Sequence, residues 1–452
     1  MQGSKAAEGL KEAAPAAPGR RFFTARLCAA VITVGGLLTQ GAFARDPNSA
    51  TVAIPSSSIA NTATLPSVIA GPDALGRETG EYGPRLIRSE VSIPVRGRNY
   101  SIAATVLRPE GNGPFGAVVL NHGVPGTVEE RRGASANDFA LVAPVFARRG
   151  YVVVMPLRRG FGATGGEFAE DAGSCRRPDY LRGENAAADD VMVAYEYTRS
   201  LPYVDGSRMV LAGQSAGGVV SLFAAGARHP EGLVAVLAFA AGRGGNPDLN
   251  PGVPCAIEPL AEMFDRMGKS VSVPALFHYA ENDHYFNPET SSLWFKRFVA
   301  GGAKAQYVLQ PPYGRDGHHV FGDLIGVEFW LPAVERFFAE QSVPFQRLDS
   351  SDPHWQPLLA AKPPNIRSSN CTGLYRVFLE SGGPRAYALS ADGHCGFAAG
   401  VADATGEAMR QCGSKASAPC ALYAVDAAIV WKEDAAPATL TAGVEPRASQ
   451  GK

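Results

Sequence analysis

The sequence is short of the features that would mark a nucleic-acid, metal or membrane protein. Charged residues make up only 19% of its 452 positions and nearly cancel, 42 Lys and Arg against 43 Asp and Glu. That balance leaves no basic excess from which to build a nucleic-acid face. No H-E-x-x-H run is present, and the glycine-rich stretch Arg158 to Gly166 lacks the lysine a phosphate-binding loop needs. It reads instead as a tight connection after a strand, and neither a metal nor an organic cofactor is expected. No internal repeat is visible, which excludes a solenoid. The N-terminal apolar run, Leu27 to Leu38, falls short of the roughly 20 residues of a membrane span and is interrupted by Thr33, Gly35 and Gly36.

That run has a different meaning in context. Basic residues ending in Arg20-Arg21 precede it and Ala42-Phe43-Ala44 follows it, which is the layout of a signal peptide over 1–44 with its cleavage site. The arginine pair also admits the twin-arginine route. Cleavage removes five basic and two acidic residues, so the net charge moves from −1 to −4. It also removes Cys28, leaving Cys175, Cys255, Cys371, Cys395, Cys412 and Cys420, an even set that favours disulfides in an exported chain. The expected location is the periplasm or the exterior, with no integral membrane segment in the mature protein.

Residues 45–84 are rich in Ser, Thr, Ala and Pro and show no period, so an extended lead-in is expected. From 85 to 343 the pattern is that of one large domain. Leu86–Val95 and Ser101–Leu107 read as a hairpin. Short apolar runs then alternate with helical stretches such as Ser135–Arg149 and Glu184–Ser200, which indicates a mostly parallel sheet with helices on both faces. The Pro-rich stretch 344–366 reads as a linker, 367–435 as a small Cys-rich α+β domain, and 436–452 as a disordered tail. In that small domain Tyr375–Leu379, Ala386–Ser390 and Ala421–Val430 read as strands and Asp403–Gln411 as a helix. Its four cysteines allow three pairings; Cys371 with Cys395 and Cys412 with Cys420 are preferred.

The motif that carries chemistry is Gly213-Gln214-Ser215-Ala216-Gly217, between an apolar strand and a helix-compatible stretch. A strand-to-helix turn of this kind exposes the serine hydroxyl, and the glycines stand where a side chain would clash. Upstream, a strand runs into Asn121-His122-Gly123-Val124. The backbone N–H groups of Val124 and Ala216 are therefore the expected oxyanion donors, with His122 as a loop-orienting or site-wall residue. A serine nucleophile needs a base, and the base needs a carboxylate. Asp283, just past the strand Pro274–Ala280, is the expected acid, with Glu281 as the alternative. The base is sought in the Gly-rich loop before the last helix, where His318 is favoured over its neighbour His319.

Together with Arg159-Gly160-Phe161-Gly162 and Asp316-Gly317-His318, these motifs make the stretch from Arg85 to Glu340 resemble the dienelactone hydrolase-like branch of the α/β-hydrolases. The resemblance implies a Ser215, Asp283 and His318 triad acting on a small-molecule ester. The name-giving enzymes use a cysteine nucleophile, so Ser215 shifts the expectation toward ordinary carboxylic esters. A serine peptidase or amidase on the same skeleton, and a non-catalytic envelope binding protein acting through its C-terminal domain, are the alternatives. Cys175 and Cys255 both lie in long segments that interrupt the strand-helix alternation, and are expected to join two lid segments, Gly165–Gly183 and Gly242–Ser270. The oligomeric state is open.

Overall fold

The computed structural model describes residues 69–70 and 86–432, apart from 354, 365, 367–368 and 383. The expected signal segment 1–44, all of the lead-in but two residues, and the tail 436–452 lie outside the described residues. A two-residue strand, β1 (Ile69–Ala70), comes first, where the sequence suggested no element. The hairpin follows as β2 (Leu86–Pro94) and β3 (Ser101–Pro109), in register from Leu86 opposite Pro109 to Pro94 opposite Ser101. The chain then alternates: β4 (Phe115–Asn121), α1 (Val128–Gly133), α2 (Ala143–Ala147), β5 (Tyr151–Pro156), α3 (Tyr180–Arg199), β6 (Val204–Gln214), α4 (Ala216–Arg228) and β7 (Leu233–Phe239). It continues through α5 (Ile257–Ser270), β8 (Ala275–Ala280), α6 (Pro288–Ala300), β9 (Ala305–Gln310) and α7 (Val327–Glu340).

These strands form one sheet in the order β2-β3-β5-β4-β6-β7-β8-β9. Only β3 runs against its two neighbours; from β5 across to β9 every pairing is parallel. That order and polarity are those of the α/β-hydrolase fold. Period-2 alternation explains why the central strands read as continuous apolar runs. Val119, Val152, Val154 and Leu211 pack into the core under α3 to α6, while Val118, Val153, Val210 and Ala212 pack into the core under α2 and α7. Each of these valine and leucine side chains, fully removed from water, contributes about 1.5–3 kcal/mol.

Of the long helix expected over Ser135–Arg149 only α2 forms, because Pro144 favours a helix start and disfavours helical backbone before it. The linker region holds a short helix, α8 (Gln356–Ala360). The small domain comprises α9 (Ser369–Glu380), β10 (Arg385–Ser390), β11 (Cys395–Ala399), α10 (Ala404–Gly413), β12 (Cys420–Val425) and β13 (Ala428–Ile429). Tyr375–Leu379 is thus helical and not a strand. The buried residues Cys371, Leu374, Tyr375 and Phe378 recur at helical spacing, and that period overrides the β-propensity of the short run. The single strand expected over Ala421–Val430 is two, separated by Asp426 at φ 51°.

The five strands run in the order β1-β11-β10-β12-β13. Here β1 is the surprise: Ile69 and Ala70 pair in parallel with Ala398 and Ala399, so the lead-in supplies an edge to the distal sheet. Alternation sorts its two faces as well. Tyr387, Leu389 and Phe397 point to the α9 side, while Ala386, Ala388 and Ala398 point to α10. One disulfide serves each face, Cys371–Cys395 on the α9 side and Cys412–Cys420 on the α10 side. Among the described residues no helix is long and apolar enough to cross a membrane.

Candidate active site

The site gathers at the C-terminal ends of the parallel strands, where open α/β sheets bind ligands. β6 ends at Gln214 and α4 begins at Ala216, leaving Ser215 between them at φ 57°, ψ −126°. A non-glycine residue held there is strained by on the order of 1–3 kcal/mol and persists only where its surroundings over-determine it. Here they do. The Ser215 N–H donates to the Phe239 carbonyl at 2.9 Å, and the Ser215 carbonyl accepts from the N–H groups of Gly218 at 3.0 Å and Val219 at 3.2 Å. The motif glycines are demanded by close approach. A Cβ on Gly217 would lie 2.0 Å from the Asn121 carbonyl oxygen, and one on Gly213 would lie 2.4 Å from the Gly217 carbonyl carbon. Ala216 opens α4, so its N–H has no acceptor within the helix.

The loop after β4 runs beside this elbow: a Cβ on Gly123 would sit 3.3 Å from the Ser215 Cβ and 3.8 Å from its Oγ. Val124 follows in the same loop. His122 is buried and is held by both ring nitrogens. Nε2 accepts from the Arg158 N–H at 3.1 Å, and Nδ1 lies 2.7 Å from the Gly123 carbonyl, to which it donates. Burial, then the Arg158 guanidinium, lowers its pKa to about 3, so the ring is neutral and acts as a spacer between β4 and β5.

Behind His122 lies a buried ionic relay that the sequence did not announce. Arg158 pairs with Glu170, Glu170 with Arg243 at 3.1 Å, and Arg243 with Glu184 at 2.6 Å. Burial alone would raise the Glu170 carboxyl, but Arg158 and Arg243 outweigh it and hold it at about 2. The four residues come from the β5 end, both interrupting segments and α3, separated by 12 to 73 positions, so no local motif could signal them. The Cys175–Cys255 bond ties the same two segments covalently.

On the other side, Asp283 and His318 meet. His318 Nδ1 lies 3.1 Å from each carboxylate oxygen of Asp283, and both residues are buried. Asp283 Oδ1 also accepts from the backbone N–H groups of Tyr285 at 2.8 Å and Phe286 at 2.9 Å, which fixes the carboxylate. The His318 ring stacks on Tyr285, centroids 4.0 Å apart, and meets the Phe286 ring at 5.3 Å.

The loop bearing His318 is tied down by polar side chains to which the motif reading gave no role. Asn282 accepts from the Tyr313 N–H at 2.8 Å and donates to the carbonyls of Tyr313 and Gly314, while its own carbonyl takes the Gly317 N–H. Asp316 accepts from the N–H groups of His318 at 2.9 Å and His284 at 3.0 Å. Gln214, one residue before the serine, donates from its side chain to the His318 carbonyl, so the elbow and the His318 loop are directly joined. Gly317 must be glycine, since a Cβ would fall 2.4 Å from that of Ala280.

The alternatives stand elsewhere. Glu281 is exposed, its backbone N–H spent on the Gln310 carbonyl. The His319 side chain is half-exposed, 3.9 Å from Asp316, and it does not share Asp283 with His318. Burial and the neighbouring His318 lower its pKa. His278 is buried against Phe239, and His284 is exposed. Among the described residues no group of three or more His, Cys, Asp or Glu is placed to hold a metal ion.

Comparison with known proteins gives the following. The profile of the prolyl oligopeptidase family matches residues 137–241, the stretch from before α2 to just past β7. No curated protein matches the sequence. Solved structures that resemble the chain include a candidate dienelactone hydrolase from Klebsiella pneumoniae, at 17% identity over 57% of this chain and 98% of that one, TM-score 0.38. An esterase from Pyrococcus furiosus shows 14% identity over 57% and 91%, TM-score 0.40. An acylaminoacyl peptidase from Pyrococcus horikoshii shows 14% identity over 58% and 43%, TM-score 0.41. The strand order and the family match across the serine elbow together support a serine hydrolase built on the α/β-hydrolase fold.

Proposed function

We propose that the chain is an exported hydrolase of small carboxylic esters that works through an acyl-enzyme, with Ser215 as nucleophile, His318 as base, Asp283 as its orienting acid, and the Val124 and Ala216 N–H groups as oxyanion donors. The observation that carries this reading is the contact of His318 Nδ1 with both oxygens of Asp283, joined through Gln214 to the strained turn that presents Ser215. Asp283 accepts a hydrogen bond from Nδ1–H and so fixes the tautomer that leaves the Nε2 lone pair free to take the proton of Ser215. The alkoxide attacks the carbonyl, the oxyanion is held by the two backbone donors, and the imidazolium returns its proton to the leaving alcohol. Water, activated by the same nitrogen, then releases the acid.

The proposed mature protein starts after Ala44, with hydrolase domain 85–343, connector 344–366 and Cys-rich domain 367–435. Its three disulfides suit an oxidising compartment.

The test is labelling by a fluorophosphonate, with Ser215→Ala beside the wild type, followed by hydrolysis of p-nitrophenyl esters of graded acyl length. Labelling that disappears in the variant supports an activated Ser215; a folded wild type that does not label removes the reading. The peptidase-family match favours a second reading, cleavage of amides. Turnover of matched anilides at rates near those of the esters would select it.

A further inference from the structure

The base loop has two faces. Its inner face presents His318 to Asp283. Its outer face is not solvent-facing: Tyr313, Val320, Leu324 and Ile325 are all buried, and they belong to the same apolar cluster as Leu374, Tyr375, Phe378, Tyr387 and Phe397 of the C-terminal domain. The loop that supplies the base is therefore one wall of the distal domain's core. Polar contacts reinforce the joint. The Glu328 carboxylate at the start of α7 lies directly over Gly373 of α9, and Arg376 of α9 reaches the Glu328 carbonyl at 3.4 Å. At the far end of α9, Glu380 is buried between Arg149, at 2.8 Å, and Arg347, at 3.1 Å.

We propose that the C-terminal domain is a positioning element of the hydrolytic site, holding the His318 loop in catalytic register through its α9 face, and that the Cys371–Cys395 staple on that face, unlike Cys412–Cys420 on the other, sustains activity. This rests on the triad proposed above. The physical ground is asymmetry. Cys371 and Cys395 lie in the cluster that contains the loop residues, so they clamp α9 onto β11 where it meets the loop. Cys412 and Cys420 lie across the sheet, in the cluster of small alanines that packs against α10. Interiors are close-packed, so slack in a shared core passes to the wall it supports. A misplacement of about 1 Å in a catalytic group can lower turnover by about 100-fold.

The experiment compares the full-length double variants C371S/C395S and C412S/C420S with wild type, and L374A with L422A as milder substitutions on the two faces. Three readouts are taken on each: kcat and KM for the best p-nitrophenyl ester, the pH dependence of kcat/KM, and hydrogen exchange of amides 313–326. The α9-face variants should lose about 10- to 100-fold in kcat with KM within about 2-fold, should alter the acid limb of the pH profile, and should exchange faster in 313–326. The α10-face variants should keep wild-type kcat and loop protection. Equal losses on both faces, or unchanged loop exchange after α9-face substitution, overturn the proposal. A wild type that never labels at Ser215 but does show face-dependent loop exchange would instead overturn the hydrolase reading and leave the mechanical coupling standing. A wild type that labels, with no face-dependence, removes the coupling alone.

Discussion

The two walls of the site are built from opposite chemistry. The wall around His122 rests on buried charge: Arg158, Glu170, Arg243 and Glu184, closed by Cys175–Cys255. The wall around His318 rests on the side-chain amides of Asn282 and Gln214, on the Asp316 carboxylate and on an apolar core shared with the distal domain. The difference teaches how each fails. A buried ion network fails abruptly when one member goes, because the partner charges are left without compensation. An amide and apolar wall fails in increments, because each bond or methylene contributes about 1 kcal/mol.

The largest expected effect falls where both walls converge. Ser215→Ala and His318→Ala should each lower kcat by on the order of 10⁴ to 10⁶, and Asp283→Asn by about 10⁴, with thermal stability little changed. Steady-state kinetics on one ester checks all three. An Asp283→Asn enzyme of near wild-type rate would return Glu281 to consideration.

Next comes the ionic wall. Glu170→Gln leaves Arg158 and Arg243 buried opposite a neutral amide, and about 3–5 kcal/mol of stability should be lost, read as a lower urea midpoint. The same residue sets an acid limit. Its folded pKa of about 2 lies below the ordinary 4.5, so its contribution is full above about pH 4.5 and is lost as pH falls toward 2. Wild type should therefore lose more stability than Glu170→Gln over that interval; parallel urea titrations at pH 5 and pH 3 would show it.

The amide wall predicts a graded loss. Asn282→Ala removes three side-chain hydrogen bonds to the backbone of Tyr313 and Gly314. Stability should fall by about 1–3 kcal/mol and kcat more than KM changes, since the loop and not the acyl pocket is loosened. The smallest effect is expected at His319→Ala, within about 3-fold of wild type, because that side chain is half-exposed and does not engage Asp283. A severe loss there would exchange the roles of the two histidines and break the comparison between the walls.

Some of this was legible before any coordinates. The strands were readable because a doubly covered parallel sheet imposes unbroken apolar runs, and the elbow because a strained turn between a strand and a helix tolerates only small residues around Ser215. Asp283 was singled out because it follows the apolar strand Pro274–Ala280, and His318 because it lies in a Gly-rich loop before the last helix. The ionic relay was illegible, since charges such as Arg158 and Glu170 look like any solvated pair until burial is known. Tyr375–Leu379 was misread because five residues are too few to separate a strand from one turn of a buried helix. The strand Ile69–Ala70 was missed because two residues carry no period, and its partner lies more than 300 positions away.

By itself the amino-acid order determined what is local: the periodicity of strands and helices and the small-residue elbow around Ser215. It did so because side-chain alternation and backbone sterics act over a few residues. Only the tertiary structure decided which carboxylate faces His318, which charges neutralise one another out of water, and that the outer face of the His318 loop is the inner face of another domain's core. Those are contacts between distant segments, whose energies depend on burial and mutual distance, and neither quantity exists until the chain has closed on itself.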